Sequence, residues 1–243
     1  YKRQYLYWGN PNVYYAKLNA DMVSLDGEVS KVEQTIESFG SPGPDKREKG
    51  KKYKDIYTEG PWLHKRGGTY YLSYAAGGVP EHIAYSMSDT PTGPWKYMGE
   101  IMPLQDTGSF TNHCGVTDYK GNSYFFYHTG KLPGGGGFGR SVAVEQFSYN
   151  PDGTFPIINA TTEGVSPVGT LTPYQRVEAE TIAFSEGVKS EWNAKTGVYV
   201  SGIHDGDYIK VREVDFEDLS PKCLCVSVAS ALRGGWIEIR TDS

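Results

Sequence analysis

The chain has 243 residues and a net charge of -5, from 29 acidic and 24 basic side chains. That balance speaks against nucleic-acid and anionic-membrane partners, which both want basic surface. No apolar run is long enough to span a bilayer. The 19 Tyr, 30 Gly and 14 Pro, without a long stretch of helical apolar periodicity, indicate short strands joined by tight turns. Tyr and Trp on a polar chain suit stacking on sugar rings and suit a half-buried β surface equally well. The length allows one large β domain or two smaller ones.

In chain order, Tyr5–Trp8, a Gly9-Asn10-Pro11-Asn12 turn and Val13–Leu18 read as two strands. The same design returns at Thr69–Tyr74 with His82–Ser86, and again at Asn122–His128 with Arg140–Glu145. Tyr5, Tyr70 and Tyr124 occupy matching places, a period of roughly fifty to sixty-five residues, which is the signature of propeller blades. Outer strands are expected at Asp21–Leu25, Trp95–Met98 and Phe147–Phe155, the last with an Asn150-Pro151-Asp152-Gly153 hairpin. The basic run Lys46–Lys52 reads as a solvated loop. The run Gly134–Gly137 reads as a mobile rim loop, because no helix follows to make it a phosphate cradle.

Composition shifts to Thr, Gly and Pro at 161–173, which reads as a linker between a propeller domain, 1–160, and a β-sandwich module, 174–243. Strands are expected there at Arg176–Glu180, Asp207–Val211, Cys223–Ala229 and Trp236–Arg240. Cys223 and Cys225, two apart on one strand, would share a face and not bond each other, and with Cys114 they form neither a disulfide framework nor a zinc spacing. The chain has no initiator Met or leader and closes just past a strand, so it is expected to be truncated at both ends. Asn159-Ala160-Thr161 fits a glycosylation acceptor triplet.

The stretch Tyr57-Thr58-Glu59-Gly60-Pro61-Trp62 sets one carboxylate before a Gly-Pro turn. Glu59 is expected on a turn at a strand mouth, its pKa raised by the neighbouring Trp62, as suits a general acid. An exposed turn carboxylate beside a structural Trp is the plainer reading of the same residues.

Tyr57–Trp62, Tyr70–Tyr74, Thr111-Asn112-His113, Tyr119-Lys120-Gly121 and Tyr124–His128 together resemble glycoside hydrolase family 43, and most of all its arabinoxylan arabinofuranohydrolases. Val177–Glu180 and Val200–Ile209 are similar to a carbohydrate-binding module of family 6. The resemblance implies an all-β fold: part of a five-bladed propeller, then an incomplete jelly-roll sandwich. It also implies a secreted, extracellular, monomeric enzyme that removes arabinofuranose from arabinoxylan with inversion. A β-xylosidase, an endo-arabinanase and a non-catalytic polysaccharide binder are the alternatives. The general-acid role falls on Glu59. The base and a third, pKa-tuning carboxylate fall upstream of the strand at Tyr5–Trp8, so the chain alone is expected to be inactive; Asp21 and Asp26 are not candidates.

The resemblance places His113 near a bound calcium or the sugar, with a satisfied buried His as the alternative, and makes Asn112 a sugar hydrogen-bonder. Arg140 either faces the sugar pocket or forms a surface ion pair. Trp8 either stacks on sugar or fills the core. Glu178 and Glu180, two apart on a strand, are implied as ligands of a structural calcium. Gly202 stands where some modules carry a Tyr, and Tyr208 and Trp236 are expected in the core.

Overall fold

The computed structural model describes residues 4–41, 56–231 and 234–241. The basic run at Lys46–Lys52 lies outside the described residues. The chain divides into two units, Tyr1–Ser166 and Pro167–Ser243.

Three antiparallel sheets follow one another in the first unit. β1 (Gln4–Trp8), β2 (Tyr14–Leu18) and β3 (Ser30–Lys31) form the first, followed by the one-turn helix α1 (Ile36–Phe39). Thr35 starts that helix as a capping box with Ser38. β4 (Tyr57–Arg66), β5 (Thr69–Ala76), β6 (His82–Ser88) and β7 (Lys96–Met102) form the second sheet. β8 (Gly115–Tyr119), β9 (Asn122–Thr129) and β10 (Ser141–Phe147) form the third. Every strand pairs with its neighbour in sequence, the up-and-down order of propeller blades. The β8–β9 connection is a two-residue turn with positive φ at both Lys120 (47°) and Gly121 (84°), the twist that matches a hairpin.

Period-two alternation explains how the sheets stack. In β5, Tyr71 joins a core with Ile83, Tyr85, Val116, Phe125 and Phe155, on the side of the third sheet. Its neighbours Leu72, Tyr74 and Ala76 join the opposite core with Tyr7, Val13, Phe39 and Trp95, on the side of the first. The middle sheet is therefore buried on both faces, and each large side chain so buried contributes about 1.5–3 kcal/mol.

Two outer strands differ from expectation. At Asp21–Leu25 the Asp21 carboxylate accepts the Val23 and Ser24 amides and the Ser24 hydroxyl, which closes a turn; the outer strand forms later, as β3. After β10 the chain makes the expected turn at Asn150–Thr154, but Phe155 then enters the core and adds no fourth strand.

In the second unit β11 (Phe184–Glu186) pairs with β14 (Tyr208–Lys210), and β12 (Lys189–Asn193) with β13 (Gly197–Ser201). None of its described side chains is buried. The strands expected at 176–180, 223–229 and 236–240 do not form. Tyr208 and Trp236 are exposed, not core, and Cys223 and Cys225 are exposed and free. Two-stranded ribbons have too little surface to cover an apolar face. No helix among the described residues is long and apolar enough to cross a membrane.

Candidate active site

Glu59 does not sit on a turn. It lies inside β4, where the pairing with β5 slips between Tyr57 and Glu59 and again between Glu59 and Trp62. Such bulges bend a strand and re-aim a side chain. Gly60, at φ +61°, absorbs the irregularity, and a Cβ there would lie 2.8 Å from the His113 ring. Glycine is thus required both by the backbone and by the histidine packed on it.

The carboxylate is held from two sides. Asn10, in the β1–β2 turn, donates its amide to Glu59 Oε2 at 2.8 Å, and His113 Nε2 stands 3.3 Å from Oε1. Tyr57 fixes that turn by donating its hydroxyl to the Gly9 carbonyl. Partial burial pushes the Glu59 pKa up, but the His113 contact, the Asn10 hydrogen bond and a Glu81 hydrogen bond outweigh it, and the carboxyl is held below its ordinary value. The expected upward shift from Trp62 is therefore reversed. Trp62 is half-exposed and approaches Gly115 on β8.

His113 is fixed through Asn112. The Asn112 amide N–H donates to Glu81 Oε2 at 2.8 Å, and its side-chain oxygen accepts the His128 N–H at 3.1 Å. Its side-chain nitrogen approaches Met102 Sδ at 3.4 Å. Asn112 is buried, with both ends of its side chain engaged inside the protein, an arrangement that positions His113. The His113 N–H donates to His128 Nδ1 at 3.3 Å, and the two rings lie 5.1 Å apart. Burial, then the His113 and Arg140 charges, lower the His128 pKa and favour its neutral form as acceptor.

Arg140 is exposed and donates from Nη1 to Thr111 Oγ1 at 3.0 Å. Trp8 is half-buried, stacks on Tyr14 and belongs to neither core cluster. Glu59, His113 and Asn112 come together; Glu178 and Glu180 belong to the second unit. These last two lie on an irregular segment and a turn, not on a strand, and Glu178 binds Arg176 through both oxygens at 2.8 and 3.0 Å.

Asn10, Glu81 and His128 are site residues that sequence reasoning missed. Asn10 read as part of a turn and His128 as the end of an aromatic strand, while Glu81 was not singled out. Their shared signal is that each polar group sits where a strand meets a turn. Glu59, buried Glu81 and His113 each bring one ligand atom within 4.8 Å of the others. Two carboxylates and an imidazole suit a divalent cation in charge and donor type, with water completing the shell.

A carboxylate re-aimed by a bulge in a propeller-blade strand and paired with a histidine is an arrangement able to give or take a proton. The sequence profile of Glycosyl hydrolases family 43 matches residues 2–155, and that of Carbohydrate binding module (family 6) matches residues 178–243. The chain belongs to glycosyl hydrolase family 43, followed by the module. An arabinoxylan arabinofuranohydrolase of Paenibacillus polymyxa is 34% identical over 93% of this chain and 36% of its own length. One of Bacillus subtilis is 32% identical over 97% of this chain and 46% of its own length. The chain thus spans less than half of these relatives. The crystal structure of a family 43 arabinoxylan arabinofuranohydrolase from Bacillus subtilis, in complex with cellotetraose, superposes with TM-score 0.59 at 28% identity, over 84% of this chain and 45% of that one. A beta-xylosidase of Xylanibacter ruminicola is 33% identical over 40% of this chain and 30% of its own length.

Proposed function

We propose that the chain is part of a secreted glycoside hydrolase that releases arabinofuranose side chains from arabinoxylan by inverting hydrolysis, with Glu59 as the general acid. The observation that carries this reading is the bulge in β4 that aims Glu59 at His113 and Asn10. The names of the two long relatives support the substrate. A polymeric substrate of this kind lies outside cells, which is why secretion belongs to the reading.

In inversion an acid protonates the leaving oxygen while a carboxylate on the other face activates water, the two roughly 6.5–9.5 Å apart. The base is assigned to no residue of this chain. The complete gene product is therefore the active species, and the chain alone is expected to be nearly silent. Glu59 must be protonated to act, yet the free site holds it ionised. A bound sugar would expel water and strengthen burial, the influence that already acts upward. A neighbouring carboxylate would push in the same direction. His113, beside Glu59, keeps the carboxyl in one orientation. A cation held by Glu59, Glu81 and His113 would keep the Glu59 carboxyl ionised, so Glu59 acts as the acid only when no cation is bound to it.

A β-xylosidase is the second reading, favoured by the beta-xylosidase relative. Arabinose and xylose release from arabinoxylan by the complete gene product, wild type beside Glu59→Gln, decides between them. Arabinose release that falls about a hundredfold or more in the variant supports the first reading. Xylose release favours the second. Undiminished activity of Glu59→Gln would sink both.

A further inference from the structure

Glu81 stands immediately before β6 and is only 4% exposed. Taking a carboxylate out of water is costly unless hydrogen-bond donors replace the lost solvent, so a buried Glu is kept where its oxygens hold something. Here they hold the segment that carries His113. The Glu81 N–H donates to the Phe110 carbonyl at 3.0 Å, and its Oε2 accepts the Asn112 N–H at 2.8 Å. Main chain and side chain of one residue thus grip the segment at two points.

That grip matters because residues 111–114 belong to no strand or helix. Their backbone is fixed by individual bonds rather than by a ladder. On the far side, His128 donates its N–H to Asn112 Oδ1 at 3.1 Å and accepts the His113 N–H at Nδ1 at 3.3 Å. Asn112 is therefore clamped between Glu81 and the end of β9. The bond to Glu81 is the shorter and has a charged acceptor, which makes it the stronger hold.

The clamped residue is followed directly by His113, whose Nε2 stands 3.3 Å from Glu59 Oε1. Glu81 itself brings an oxygen within 4.8 Å of the ligand atoms of both. A shift of the segment would move the imidazole, and with it the carboxyl that the imidazole orients.

We infer that Glu81 is a positioning residue for the proposed reaction: by holding the Asn112 amide, its carboxylate sets His113 against the general acid Glu59. The inference rests on the assignment of Glu59 as that acid. In this role reach counts for more than charge. Aspartate keeps the charge but withdraws the oxygens by one methylene, whereas glutamine keeps an acceptor oxygen in place and gives up the charge.

The test compares the complete gene product with its Glu81→Asp and Glu81→Gln variants on arabinoxylan and on 4-nitrophenyl α-L-arabinofuranoside. Nitrophenolate leaves with little help from a proton, so a defect transmitted through the general acid should spare the aryl glycoside. On arabinoxylan, kcat should fall about tenfold to a hundredfold in Glu81→Asp with KM little changed, and stay within about threefold of wild type in Glu81→Gln. An equal loss on both substrates overturns the inference, because misfolding lowers both activities alike and cancels from their ratio. A loss in Glu81→Gln as large as that in Glu81→Asp also overturns it, since charge would then be the requirement. The assays are repeated in EDTA: a Glu81→Asp defect that disappears under chelation overturns the clamp and assigns Glu81 to holding a metal. Glu59→Gln is the reference. If it too loses equally on both substrates, Glu59 is not the acid, and the proposed mechanism falls together with the inference.

Discussion

The first unit and the second are woven from similar short, aromatic-rich strands, but they reach different ends. Tyr74, Phe125 and Leu72 are wholly enclosed, because the middle sheet has a neighbour on either face. Val198, Trp192 and Tyr208 alternate just as well and stay exposed, because β12–β13 and β11–β14 are ribbons of two strands. Alternation specifies which face is apolar. Burial needs a second surface to meet that face, and only stacked sheets supply one.

Paired truncations test this contrast most directly. Leu72→Ala should destabilise the first unit by about 2–5 kcal/mol in denaturant unfolding, through lost transfer energy and a residual cavity. Val198→Ala, on an exposed ribbon face, should stay within about 0.5 kcal/mol. Comparable costs at the two positions would mean that the second unit has a core of its own.

A partly buried titratable group sharpens the same contrast. His64 stacks on Tyr71 at 4.9 Å and meets the Tyr149 hydroxyl at 3.0 Å, and burial, with the Asp118 charge opposing it and the Arg66 charge assisting, pushes its pKa down to about 4. Its folded pKa is below the unfolded one, so this stabilisation is complete above about pH 6.5 and lost as pH falls toward 4. Roughly 3 kcal/mol is at stake, and the first unit's melting temperature should drop across that window. His64→Phe should flatten the drop; an equal drop in the variant removes His64 as its cause.

The next effect in size belongs to Gly60→Ala, which meets both a positive φ and the His113 ring. We expect about 1–3 kcal/mol of destabilisation and, in the complete gene product, a loss of the proposed activity larger than that stability change explains. Retained activity with a normal melting temperature would show that the bulge does not position His113.

The blades were legible in the sequence because tyrosine-rich strands recur at a near-constant interval with glycine turns between them, as at Tyr70 and Tyr124. Glu59 was legible as a residue but not as a geometry. A Gly-Pro pair normally ends a strand, whereas here pairing with β5 continues past it and converts the expected turn into a bulge. Its pKa shift was misjudged for a related reason: Trp62 is near in sequence, while the groups that outweigh burial come from Asn10, Glu81 and His113. Long-range pairings of that kind leave no local pattern. The strand expected at Arg176–Glu180 failed differently, since Arg176 binds Glu178 within the irregular segment and no partner strand forms beside it among the described residues.

Cys114 follows His113 directly and is sealed in the core beside Val116 and Phe125, where burial raises its thiol to about 12. Only the thiolate attacks alkylating agents or oxidants at an appreciable rate. The candidate site therefore lies beside a sulfur that is chemically silent, while Cys223 and Cys225 stand open to solvent. A maleimide dye would mark the second unit and leave the first unmarked, without a single engineered residue.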